Sequence, residues 1–205
     1  MDSYNKLPDA EIIPSGEMSQ KFLELGIKTF KEACYYVHNA EYGYNSNYDD
    51  HMIFFKEKKG SCTSKHAVIA GLAKDLNIPL YKYVGIYKFI EEVSKGTNEI
   101  LEKYNVPFIP MIHCFLVYKD LRFDLTEGNC NGKKRTLEDF IHKEKVDPFI
   151  STKDEYLLLK RVLKEKILPS KEWEGISERT ALKAREEGIV LIKKNAKEQM
   201  DLKKL

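Results

Sequence analysis

A cysteine, a histidine and an aspartate can together carry out nucleophilic acyl chemistry when a fold brings them to one place. The thiolate attacks a carbonyl, the imidazole takes the thiol proton, and the carboxylate behind it fixes the ring's tautomer and orientation. In this chain of 205 residues those three types stand at Cys62, His113 and Asp124. Cys62 lies in "EKKGSCTSKHAVIAGLAKDLNIP", residues 57 to 79. Gly60 breaks what precedes it, and Ser61 is a good helix N-cap, so the thiol falls in the first helical turn. There the unpaired N–H groups and the helix dipole favour an anion. Two other readings of the same thiol are a small buried residue and a metal ligand.

The elements that must position the partners are legible around it. From Ala67 to Ala73 the run "AVIAGLA" is apolar on every side, the mark of a buried helix. Its small residues let neighbouring backbones come close. "NIP" ends it, and "LYKYVGIYKFI" alternates as a strand does. In "VPFIPMIHCFLVYKDLRFDLT", residues 106 to 126, two apolar runs flank Lys119-Asp120 and predict a β-hairpin. With that turn, Tyr118 faces Leu121, Val117 faces Arg122 and Phe115 faces Asp124. His113 shares the sheet face of Phe115. His113 and Asp124 are then diagonal neighbours, about 7–8 Å apart at the backbone. A slip of one residue would put them on opposite faces. His66, four residues after Cys62, lies on the same helix face and reads as a supporting or substrate-side residue. Cys114 points to the other sheet face and reads as core. One oxyanion donor should be the Cys62 backbone N–H. The second falls to Tyr44, Asn45 or Asn47 in the polar loop "EYGYNSNYDDH", Asn45 or Tyr44 being favoured; shaping that loop is the other role open to them.

On these residues the chain resembles the transglutaminase-like superfamily. Gly60-x-Cys62 opens the helix, Ile78-Pro79 leads out of it, His113 stands in one strand, and Asp124 with Thr126 stands in the next. The resemblance covers roughly residues 40 to 130. It implies an α+β, papain-like fold with the nucleophile-bearing helix buried against an antiparallel sheet. It also implies acyl transfer on the amide bonds of a peptide, a protein or a small molecule, with no cofactor. Thr63 stands where many members carry tryptophan, and Leu125 where proline is common. The resemblance does not choose among protease, amidase, cross-linking enzyme and a binding module that keeps the fold without activity. A zinc site built from Cys62, His66, His113 and Asp124 is a further alternative, but no CxxC pair or known zinc spacing supports it.

The whole chain sets the bounds. Apolar residues make up 42%, enough for a core, and a net charge of +2 does not argue for nucleic acid. No apolar run is long enough to cross a bilayer. Without a recognisable secretory segment, Cys34, Cys62, Cys114 and Cys130 read as reduced cytoplasmic thiols. Residues 19–40 carry Leu23, Ile27, Phe30, Cys34 and Val37 at helical spacing and predict one amphipathic helix. Thr136 reads as the cap of a short helix. Residues 152–168 and 177–205 read as amphipathic helices, with Trp173 docking the linker between them. The expected organisation is a core over 1–150 and a helical extension over 151–205 packed on it.

Overall fold

The computed structural model describes residues 2–204. After a 3-10 turn, the helix expected over 19–40 proves to be two, α1 (Glu17–Glu24) and α2 (Phe30–Asn39). Gly26, at φ +77, ends the first. A capping box starts the second: Thr29 Oγ1 accepts from the Glu32 N–H, and the Glu32 carboxylate accepts from the Thr29 N–H. Phe22 before the break and Cys34 after it are both fully buried, so the apolar spacing runs across the break and hides it.

The polar loop from residue 41 opens with a two-residue strand, β1 (Glu41–Tyr42), before α3 (Ile53–Glu57). β1 pairs in parallel with β2 (Lys59–Gly60), which runs directly into α4 (Cys62–Asp75). Every residue of α4 from Ser64 to Ala73 is buried. Helices α1, α2 and α3 all pack against it. Close approach is possible because Gly71 has no Cβ: one added there would meet Phe149 at 2.7 Å and Met18 at 2.9 Å. The exit is a Schellman motif, with Asn77 at φ +54, its N–H on the Lys74 carbonyl and the Ile78 N–H on the Ala73 carbonyl.

Next come β3 (Leu80–Phe89), α5 (Thr97–Tyr104), β4 (Ile109–Tyr118) and β5 (Leu121–Phe123). The hairpin has the expected register: Tyr118 pairs with Leu121, Val117 with Arg122 and Leu116 with Phe123. Lys119 and Asp120, at φ 48 and 63, form the two-residue turn, both in the left-handed region that a type I′ turn requires. The short helix expected at Thr136 does not form. Residues 134 to 141 form an irregular segment, with the Lys134 N–H on the Val93 carbonyl and the Ile141 N–H on that of Ile86. The bond to Ile86 of β3, the bond to Val93 just beyond that strand and the burial of Leu137 outweigh the local cap. This segment leads into β6 (His142–Lys145), completing a sheet ordered β5-β4-β3-β6. The fold is thus α+β. α6 (Thr152–Val162) continues through a π-helical turn, Leu163–Ile167, and α7 (Glu178–Lys203) starts at Ser177, whose Oγ accepts from the Thr180 N–H. Trp173 is buried with its ring 5.2 Å from Phe108.

The chain divides into two compact units. The first comprises Met1–Val84, Cys114–Asn129 and Lys145–Ser151; the second comprises Gly85–His113, Cys130–Glu144 and Thr152–Leu205. The C-terminal helices thus share a unit with α5 and parts of three strands, β3, β4 and β6. In the first unit a cluster from Tyr4 to Leu125 surrounds α4. In the second, α5 lies along α7, and Gly188 sits against Ile109 and Phe89.

Candidate active site

Cys62 is the first residue of α4 and its side chain is half-buried. Ser61 takes the extended conformation of an N-cap, yet its hydroxyl does not cap the helix; it meets the Tyr48 hydroxyl at 2.9 Å. The next residue, Thr63, brings Oγ1 to 3.8 Å from the Cys114 sulfur. This contact sets strand β4 beside the first turn of α4. Cys114 is fully buried, as its place on the opposite sheet face from His113 suggested.

Tyr44 lies within electrostatic reach of Cys62. Burial pushes the pKa of its hydroxyl well up, a hydrogen bond with Tyr42 pulls it back, and charge on Cys62 raises it again. Tyr44 therefore stays a neutral hydroxyl. Its ring meets that of Tyr42 edge-on at 5.9 Å. Asn45 is differently placed. Its Nδ2 donates to Glu57 and to the Lys59 carbonyl, both at 3.0 Å, and its Oδ1 accepts from Ser64 Oγ at 2.6 Å. Both amide protons are spent on holding the loop to β2 and α4, which leaves none for an oxyanion. The Asn47 amide oxygen accepts from the Asp49 N–H within the loop.

His66 is fully buried with both ring nitrogens engaged by backbone. Nδ1 lies 2.7 Å from the Cys62 carbonyl, which can only accept, so Nδ1 carries the proton. Nε2 accepts from the Leu125 N–H at 2.8 Å. One imidazole thus ties the first turn of α4 to the chain just after β5. The carboxylate of Asp124 lies 3.5 Å from the same Nε2. Its Oδ1 accepts from the Thr126 N–H at 2.9 Å and from Thr126 Oγ1 at 2.7 Å. Thr126 therefore sets the orientation of the Asp124 side chain.

His113 is the last residue of its segment in the second unit and is buried. There its ring meets Tyr87 edge-on at 6.4 Å, and its Nδ1 is 3.4 Å from Lys133 Nζ. The first unit thus brings Cys62, Tyr44, His66 and Asp124 around the start of α4, while His113 belongs to the second unit.

Sequence reasoning missed two residues here. Tyr48 accepts from the Asn45 N–H at 3.2 Å and bridges to Ser61. Lys65 is fully buried, its Nζ donating to the carbonyls of His38, at 3.1 Å, and Ala40. Burial pulls its pKa down to about 7, against the opposing pull of Asp124. Asn129 Nδ2 donates to the same two carbonyls. Of the other histidines, His38 bonds to the Tyr4 hydroxyl, His51 stacks on Phe149 at 4.2 Å, and His142 bonds to Glu144.

Among the described residues, no group of three histidine, cysteine or carboxylate side chains is arranged to hold a metal ion. Nor is any helix long and apolar enough to cross a membrane. No family model, curated protein or solved structure matches the chain.

Proposed function

We propose that this protein is a thiol-dependent acyl-transfer enzyme with a transglutaminase-like, papain-like core, acting on amide bonds through Cys62, His113 and Asp124. The observation that carries the reading is the seat of Cys62: a half-exposed thiol at the first position of a long buried helix, with β4 against the next residue. A helix start favours the thiolate, and the buried helix holds it still.

In this reading Cys62 Sγ attacks the carbonyl carbon and forms a thioester. His113 takes the thiol proton and returns it to the departing amine. Asp124, held by Thr126, orients His113 and steadies the imidazolium. Water or an amine then releases the acyl group. The negative oxygen formed on attack is met by the Cys62 backbone N–H and by the Tyr44 hydroxyl, which burial keeps protonated. His66 does not compete as base, because its ring nitrogens are occupied by the Cys62 carbonyl and the Leu125 N–H.

A non-catalytic binding module with the same fold is the second reading. One observation favours it: Lys133 Nζ, 3.4 Å from His113 Nδ1, repels the proton that catalysis asks the ring to accept.

The test is an acylation screen of the intact protein with activated esters and peptide amides, read by mass. The enzyme reading predicts a mass increase on the peptide containing Cys62, absent in Cys62→Ala and reversed by water or an added amine. No adduct at Cys62 with any acyl donor supports the binding module.

A further inference from the structure

Strand β3 carries a chemical misfit that the catalytic reading does not use. Leu80 and Val84 lie on its buried face, and so does Lys82, which is 1% exposed. An ammonium on such a face is costly unless it is well paired. Among the described residues, Lys82 Nζ has one hydrogen-bond partner, the Pro148 carbonyl at 3.0 Å. Among the described residues no carboxylate forms an ion pair with it. An ammonium carries three donors, so two are left without a protein acceptor.

The same lysine lines a cavity of about 670 Å³ inside the first unit. That volume is within the usual range for small-molecule sites. Ala70 and Ala73 of α4, Pro79, Val146 and Pro148 give it apolar walls. Two more lysines stand at it: Lys145 Nζ rests 3.2 Å above the Tyr81 ring, and Lys74 lies 3.5 Å from Asp147. Three lysines and one aspartate, Asp147, thus stand in the lining, and among the described residues the buried lysine, Lys82, has no counter-charge.

We propose that this cavity binds a small organic acid, its carboxylate on Lys82 Nζ and its apolar body along the α4 wall. A carboxylate supplies the acceptors and the negative charge that Lys82 lacks, as a charge-assisted pair. The apolar walls select an acid with a hydrocarbon body over a bare inorganic anion. The site does not depend on Cys62, and its test stands apart from the acylation screen.

The test uses the full chain, with calorimetric titration and thermal unfolding in sodium octanoate, sodium 3-phenylpropionate, octanamide and inorganic phosphate. The proposal predicts that at least one of the acids binds and raises the melting temperature. Octanamide and phosphate bind at least tenfold more weakly. Lys82→Met weakens binding of the acid at least tenfold, while the unliganded variant melts no lower than the native protein. If Lys82→Met does not fold, Val146→Phe, which narrows the cavity without touching Lys82, gives the same tenfold loss. Three results would overturn the proposal: neither acid binds, octanamide or phosphate matches the acids, or both variants bind the acids with native affinity.

Discussion

The first turn of α4 and its later turns are both buried, by opposite means. From Ala67 to Ala73 the helix is covered by apolar packing, and small side chains let α1 and the Phe149 segment approach closely. From Ser64 to His66 the buried residues are polar, and each is held by named partners: Ser64 by Asn45, Lys65 by the end of α2, His66 by Cys62 and Leu125. Apolar packing fixes where the helix lies. Polar partners fix which way its start faces and what stands around Cys62. Losing a polar partner strands a buried group, whereas crowding the apolar half only displaces neighbours.

Three substitutions probe that contrast. His66→Leu should have the largest effect, because it leaves the buried Leu125 N–H without an acceptor and frees the helix start from the chain after β5. We expect a loss of about 2–3 kcal/mol in urea unfolding; a loss under about 1 kcal/mol would mean that the imidazole is filler. Lys65→Met comes next and acts through pH. The folded-state pKa of Lys65, about 7, lies below its unfolded value, so the unfolded chain binds more protons between those two values. Stability must then rise with pH from about 7 toward the ordinary lysine range, by about 2 kcal/mol between pH 7 and 9 at 1.36 kcal/mol per unit. Denaturant unfolding across that window should show the slope in the native protein and not in Lys65→Met. An equal slope in both would place the charge elsewhere. Gly71→Ala should be smallest. Its methyl group meets Phe149 and Met18, but alanine's better helix propensity offsets part of the strain, leaving a net loss of about 1 kcal/mol. A gain in stability would show that the apolar half has slack.

What was legible in the sequence was mostly local. Gly60, Ser61 and the apolar run place the helix start, and Asn77 with Pro79 places its end, all within one stretch. The hairpin register follows from a two-residue turn between two apolar runs. The break between α1 and α2 was also local, written in Gly26 and in the Thr29–Glu32 capping box, but the unbroken apolar spacing across it dominates the pattern. The absence of a helix at Thr136 could not be read locally, since the bonds that hold this segment, from the Lys134 and Ile141 N–H groups, go to Val93 and Ile86. The same holds for the site. Cys62 stands out by its neighbours in sequence. The partners of Lys65 and Lys82 lie 25 to 66 residues away, and nothing in their own surroundings marks either lysine as buried. Asn45 looked like a free donor because Glu57 and the Lys59 carbonyl, which occupy it, come from the far end of the same loop and helix.

Under the proposal, Cys62 is a nucleophile activated by His113. That activation is tested most directly by the rate of Cys62 alkylation by iodoacetamide across pH 4 to 10, followed on its own peptide so that the other three cysteines do not contribute. An activated thiol gives a half-maximal rate well below the free-thiol value of about 8.5, moving up toward it in His113→Ala. A native profile centred near about 8.5 and unchanged in His113→Ala would contradict it.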